Sequence, residues 1–257
     1  MVEGPTARAY AIRIYNEMHN EVINGVFVRS RKVYVPIKEL VGKNIKSTDT
    51  IGKNILMFID GYVVRVHLMM FGAIHIYGIN DPLLKPEKQV RMKMIGEKKK
   101  LVVYNAPIVE VDLSDRLLRR LKSKFGPDPL REDWNREEAI NRILSAGNRK
   151  IGEVLLDQSI IAGIGNILRN EILFRAGIHP ERMVNQLSRD EVEKIVKISE
   201  DLCKIFLEIK LRRERLKPIL YVYNRYNKPC KICGNLIKFY IQKEVKRKTF
   251  VCEKCQK

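Results

Sequence analysis

The chain has 257 residues, 45% of them hydrophobic, enough to bury a core spread over two or three modules and too apolar for a disordered tail. Its 49 Lys and Arg against 30 Asp and Glu leave a net charge of +19; this favours a polyanionic partner, nucleic acid foremost, although solubility or heat adaptation also produces Lys-rich surfaces. No apolar run approaches the roughly 18 residues of a membrane span, and the start MVEGPTARAY lacks the apolar stretch of a signal peptide, so an intracellular protein with no membrane contact is expected.

In chain order, residues 5–19 predict a short helix. From Ile12 to about Asp112 the chain then runs through short β-branched and aromatic segments, VFVRSRKVYV, NILMFI, YVVRVHLMMFG and LVVYNAPIVEV, separated by Gly, Asp and Lys clusters. Such segments predict a β-sandwich or barrel. Asp60-Gly61 between two apolar runs predicts a hairpin over residues 54–70. After Asp112 the period becomes helical: Leu117, Leu118, Leu121 and Phe125 share a face, with Ser114 as the cap and Gly126-Pro127 as the stop. Further helices are expected over 136–146, 150–158 and 166–176, the first ended by Gly147 and the last by Gly177. A long helix starts at Ser188, with Glu191 completing a capping box and Val192, Ile195, Ile198, Leu202, Phe206 and Ile209 as its buried stripe. Cys203 beside that stripe reads as a core thiol. The last forty residues return to short strands around cysteines.

Those cysteines form two pairs, Cys230-x-x-Cys233 and Cys252-x-x-Cys255. Four thiolates so spaced supply a closed tetrahedral site, the usual structural zinc arrangement, and so short a segment needs the metal to fold. A ribbon used only for structure or protein contact has the same spacing. Lys243, Lys246, Arg247 and Lys248 between the pairs favour a groove of DNA.

With its flanks, VYNRYNKPCKICG through RKTFVCEKCQ, this segment resembles the C-terminal zinc finger of the formamidopyrimidine-DNA glycosylase and endonuclease VIII family. LLDQSIIAGIGNILRNEILFRAGIHP resembles that family's helix-two-turns-helix motif, preceded by the marker GPDPL. Met-Val-Glu-Gly-Pro is similar to the family's Met-Pro-Glu-Gly-Pro, and GKNILMFI with HLMMFG to the hairpin that carries its catalytic Lys. The matches run in order along the whole chain. The resemblance implies an α+β multidomain protein: an N-terminal β-sandwich catalytic domain over 1–112, a linker or hinge helix over 113–126, a helix-two-turns-helix DNA-binding domain over 127–218 and a zinc-finger β-hairpin over 219–257. It further implies a Val-initiated, endonuclease VIII-like base-excision-repair enzyme, monomeric, holding one structural zinc ion and acting on DNA with damaged bases or abasic sites.

Attack on the sugar C1′ needs an unprotonated amine, and an α-amine with a pKa of about 7.7–8.0 is neutral far more often at pH 7 than a Lys near 10.4. With Met1 removed, the α-amine of Val2 becomes the nucleophile. By the resemblance, Glu3 shuttles protons to the ring oxygen, Lys53 contacts the phosphate beside the lesion, and Met70 helps fill the gap left by the extruded base. Asn166, after the Gly163-x-Gly165 turn, and Arg247 on the zinc hairpin bind phosphates.

The chain departs from the family pattern in several places. Val2 replaces Pro, so the adduct is an ordinary imine that must be protonated, and weaker strand cleavage is expected. Thr6 stands where many members have Glu. Asn105-Ala106-Pro107-Ile108-Val109-Glu110 replaces the segment that carries the family's Arg-x-Phe gap-fillers, and Gly152 replaces a Lys, costing one phosphate contact. LRRERLKPILY leaves little length for a lesion-capping loop. The expectation is a bifunctional glycosylase and abasic-site lyase for oxidised pyrimidines, ring-opened or hydantoin lesions, favouring single-stranded or open DNA. The alternative is a non-catalytic zinc-containing binder of damaged or single-stranded nucleic acid.

Overall fold

The computed structural model describes residues 2–257, and the chain divides into two compact units, Met1–Lys124 and Phe125–Lys257.

The first unit opens with helix α1 (Gly4–Met18). Pro5 lies in its first turn, where a missing N–H costs nothing, and Ala7, Ala11, Ile14 and Met18 join the core. Nine strands follow: β1 (Gly25–Val28), β2 (Lys32–Val33), β3 (Ser47–Ile51), β4 (Asn54–Ile59), β5 (Tyr62–His67), β6 (Ala73–Gly78), β7 (Val90–Ile95), β8 (Lys99–Tyr104) and β9 (Ile108–Leu113). They form two sheets, ordered β1-β7-β8-β6 and β2-β9-β5-β4-β3. Val66, Val109 and Val111 of one sheet and Met92, Met94 and Val103 of the other share one core, which makes the unit the expected sandwich. β7 keeps the half-buried alternation, with Val90, Met92 and Met94 inside. Asp60 and Gly61, both at positive φ (39° and 83°), close the β4–β5 hairpin with Ile59 opposite Tyr62, the backbone that type I′ turns require.

Helix α2 (Ser114–Lys122) follows β9 without a break. Its cap position is Leu113, which is extended, and Ser114 is the first helical residue, its N–H donating to the Gly61 carbonyl at 2.8 Å. The helix also stops short of Phe125, which begins the second unit; the next amide, Gly126, bonds Gln158 there. Arg116 and Arg120 tie α2 to the buried carboxylates of Asp112 and Glu110 on β9.

In the second unit α3 (Arg136–Leu144) is capped by Asn135, whose side chain accepts from the Glu138 amide. The helix expected over 150–158 is a single turn, α4 (Ile151–Val154). Two side chains end it by competing for backbone groups. Asp157 accepts from the Ser159 amide, and Gln158 brackets the next turn by accepting from Gly163 N–H and donating to the Ile164 carbonyl at 2.9 Å. Then come α5 (Asn166–Ala176), stopped by Gly177 at φ 78°, and α6 (Arg189–Leu211), opened by the Ser188–Glu191 capping box. Val192, Ile195, Leu202 and Phe206 are buried on α6 together with Val196 and Cys203, whereas Ile198 and Ile209 are only partly covered. The chain ends in the antiparallel hairpin β10 (Lys238–Gln242) and β11 (Arg247–Val251). Among the described residues no helix is long and apolar enough to cross a membrane.

Candidate functional site

In the first unit two of the residues singled out from the sequence lie at the β5–β6 connection: Val2 touches it and Met70 belongs to it. The Val2 nitrogen lies 3.3 Å from the Met69 carbonyl, and the Val2 side chain packs on the sandwich core. Glu3, at the cap position of α1, is 3% exposed, a depth at which a carboxylate is seldom found without a task or a partner. Met1, whose removal the sequence reading expects, lies outside the described residues. Lys53 is the second residue of a two-residue turn, Gly52-Lys53, with Gly52 at φ 59° and Ile51 paired to Asn54 across it. Asn54 is fully buried behind that turn, donating to the Ile51 carbonyl and accepting from Arg65 Nε at 2.9 Å. Lys53 is therefore presented by a hydrogen-bonded hairpin rather than by a loose loop.

His67, which the sequence reading passed over, joins these parts. Its Nδ1 accepts the Met69 N–H at 3.2 Å. Burial, with the charges of Arg65 and then Lys53, holds its pKa down to about 4. It is a neutral acceptor at physiological pH, fixing the start of the loop whose carbonyl meets Val2. Met70 is exposed at the tip of that loop. Asn105, Ala106 and Pro107 make only a three-residue connection between β8 and β9, with Ala106 buried and Asn105 bonded to Gln89; the connection offers no Arg or Phe.

In the second unit the helix-two-turns-helix segment and the hairpin share one polar seam. Asn166 is buried and donates from Nδ2 to the Lys248 carbonyl at 2.9 Å. Arg169, fully buried, binds Gln242 Oε1 at 2.7 Å, Thr249 Oγ1 at 2.8 Å and the Lys248 carbonyl at 3.1 Å. Asn170 accepts from the Phe250 amide at 2.7 Å. Three α5 side chains, one helical turn deep, thus hold β11. Arg247 is exposed at the start of that strand, and Lys248 and Lys243 are exposed around the turn. Glu171, buried on α5, accepts the amides of Tyr221, Val222 and Tyr223, fixing the segment that enters the finger. Arg169 and Glu171 escaped the sequence reading because buried charge carries no periodic signal; charged residues within the nearly all-buried run Asn166–Phe174 were the available clue.

Gly152 has a packing role that the sequence does not reveal. A Cβ at this position would lie 2.8 Å from Gln242 Oε1 and 2.9 Å from the Pro180 carbonyl, so the seam leaves no room for a side chain. The glycine therefore belongs to the packing of the hairpin and is not merely a lost phosphate contact.

Cys230, Cys233, Cys252 and Cys255 bring their sulfurs within 4.8 Å of one another, with 3.9 Å between Cys230 and Cys255 and 3.4 Å between Cys233 and Cys252. A tetrahedral site with Zn–S bonds of about 2.3 Å needs sulfurs about 3.8 Å apart. The four thiolates fit one zinc ion whose coordination is closed, a structural role rather than a catalytic one.

The N-terminal domain model of formamidopyrimidine-DNA glycosylase matches residues 1–109, and the H2TH domain model of the same enzyme matches 125–212. Over 237 residues the chain is 32% identical to Endonuclease 8 1 of Mycobacterium tuberculosis, covering 84% of this chain and 85% of that protein. The chain belongs to the formamidopyrimidine-DNA glycosylase and endonuclease VIII family. The formamidopyrimidine-DNA glycosylase of Oceanobacillus iheyensis is 30% identical over 234 residues, covering 84% of this chain and 81% of that one. A solved complex of the Lactococcus lactis Fpg with abasic-site DNA has the same fold, with a TM-score of 0.87 at 25% identity over 99% of each chain. The α+β architecture and the four-cysteine finger expected from the sequence are those of the family.

Proposed function

We propose that the protein is a bifunctional DNA glycosylase and abasic-site lyase that uses the α-amine of Val2. The observation that supports this reading is the Val2 nitrogen against the Met69 carbonyl, with Glu3 buried next to it in the chain and the charge of Lys53 acting on His67 two residues before Met69. The amine lone pair attacks C1′, and the N-glycosidic bond breaks with its electrons leaving on the base, which takes up a proton. Glu3 delivers a proton to the ring oxygen as the C1′–O4′ bond opens, leaving a protonated imine on Val2. Loss of a C2′ proton then expels the 3′ phosphate, and water hydrolyses the imine to free the amine. Lys53 holds the phosphate beside the lesion while Asn166 and Arg247 grip the backbone; Asn166 keeps a second N–H for this beyond the one given to Lys248.

The three-residue β8–β9 connection and the short segment after α6 support weak reading of the opposite base and a preference for oxidised pyrimidines and hydantoins in single-stranded or open DNA. Borohydride trapping on abasic-site DNA is the decisive experiment. A covalent adduct mapping to Val2 by mass spectrometry is expected, together with a loss of base excision of roughly 10²–10⁴-fold in Glu3→Gln. Tight binding with no adduct would instead establish the non-catalytic binder; an adduct on Lys53 would overturn the assignment of the nucleophile.

A further inference from the structure

The β10–β11 hairpin turns one face to α5 and leaves much of the other in water. Side chains alternate across a strand. Gln242 and Thr249 meet Arg169, and Arg247, paired with Gln242 and two residues from Thr249, shares their face. Phe239 and Ile241 stand on the reverse face, paired with Phe250 and Lys248. Phe250 is buried, but Phe239 and Ile241 are exposed. Tyr226 extends this patch, its ring edge-on to Phe239 with centroids 5.9 Å apart. Ile232 and Leu236, between the first cysteine pair and β10, are exposed in the same finger. An exposed apolar side chain needs no explanation when it stands alone; a gathering of them on so small a module marks a surface that binds something.

Charge decides what that something is. Between residues 219 and 257 the carboxylate side chains are Glu244 and Glu253, and both are engaged, by Lys150 and Lys238. Lys228, Lys243, Lys246 and Lys248 are exposed in the same segment. An apolar patch set in a positive field attracts an acidic segment that carries apolar side chains of its own. A second copy of this chain would bring one cationic finger against another, which like-charge repulsion opposes. A nucleic-acid strand would stack its bases on rings, yet Ile232, Leu236 and Ile241 offer no ring, and Arg247 lies on the opposite face.

We propose that the reverse face of the finger, Tyr226, Phe239 and Ile241 with Lys248 beside them, docks an acidic segment of another protein through its Leu or Phe side chains. Docking needs no turnover and is independent of the glycosylase reading above. Only simultaneous binding draws on that reading: with Arg247 on the α5 face gripping DNA, the reverse face stays open to the partner.

The test measures fluorescence anisotropy of a labelled peptide of Asp, Leu and Phe against the zinc-loaded full chain, beside a control peptide with Ser in place of Leu and Phe. Wild type binds the first peptide and holds the control at least roughly tenfold more weakly. Ile241→Ser, at a side chain 49% exposed, and Tyr226→Ser, at one 56% exposed, each lower affinity for the first peptide roughly tenfold. Their zinc content and affinity for abasic-site duplex stay at the wild-type level. Wild type saturated with that duplex still takes up the peptide. No binding of the first peptide, equal binding of the two, or unchanged affinity in both variants overturns the proposal. So does expulsion of the peptide by the duplex or by oligothymidylate, which would give the face to nucleic acid. A concentration-dependent dimer that Ile241→Ser abolishes would give it to a second copy and likewise overturn the proposal. Absence of base excision by wild type would sink the glycosylase reading and leave these binding results as they stand.

Discussion

Two hairpin turns present cations in this protein, and they are supported in opposite ways. The Gly52-Lys53 turn grows from a five-stranded sheet, with Ile51 and Asn54 buried directly behind it. The turn between β10 and β11, beside Arg247, caps a two-stranded ribbon whose apolar cluster is small and made partly of its own cysteines. A two-stranded ribbon is marginal in water by itself. Its stability is imported, from four thiolates at one end and from the α5 side chains along its length. The same device, a charged side chain on a turn, is thus core-supported in one unit and supported by metal and buried polar groups in the other, so the two should fail under different insults.

The largest difference comes from the metal. Stripping zinc with a chelator, or Cys252→Ser, removes a term worth on the order of 10 kcal/mol in zinc fingers. DNA affinity should fall by at least a hundredfold, with the loss of hydrogen-exchange protection confined to residues 219–257, while the sandwich keeps its protection. Equal loss in both units would show that the ribbon is not the separately supported part.

Arg169→Ala comes next. It leaves Gln242 Oε1 and Thr249 Oγ1 without their buried donor, while the Lys248 carbonyl keeps the one from Asn166, a cost of about 3 kcal/mol. Faster amide exchange on β10–β11 and weaker, less salt-sensitive binding are expected, with the zinc content unchanged. A drop in zinc content alongside would mean that the seam and the metal are one cooperative element.

This asymmetry also marks what could be read from the residues alone. The sandwich, the Asp60-Gly61 turn, the α5 boundaries, the start of α6 and the cysteine cluster are local or periodic signals, and the structure has them where the sequence put them. The α4 segment was misread because its apolar spacing continues to Gln158, while the side chains of Asp157 and Gln158 capture the backbone first. The seam was invisible for a different reason. Arg169 and Gly152 have meaning only once Gln242, ninety residues beyond the glycine in sequence, is brought against both.

The smallest effect sharpens the sandwich side. His67 keeps its proton off until about pH 4 because it is buried and lies near Arg65 and Lys53, whereas in the unfolded chain it protonates near 6.5. Between those values the unfolded state holds the extra proton, so stability falls as pH drops from 6.5 to 4 and levels off below; above 6.5 the contribution is fully present. Allowing for the partial exposure of the ring, the loss is about 1–2 kcal/mol. His75 and His179 are also depressed by burial and contribute slopes of the same sign, so the informative quantity is the difference from His67→Asn, whose amide oxygen can replace the Nδ1 acceptor for Met69. Urea denaturation at pH 7 and pH 4.5 should show the variant losing less stability than wild type across that interval. Because protonation also removes the acceptor that orders residues 68–72, trapping at Val2 should weaken over the same interval in wild type and less in the variant. Parallel pH profiles for the two proteins would separate His67 from the loop and leave the placement of the Val2 amine to core packing alone.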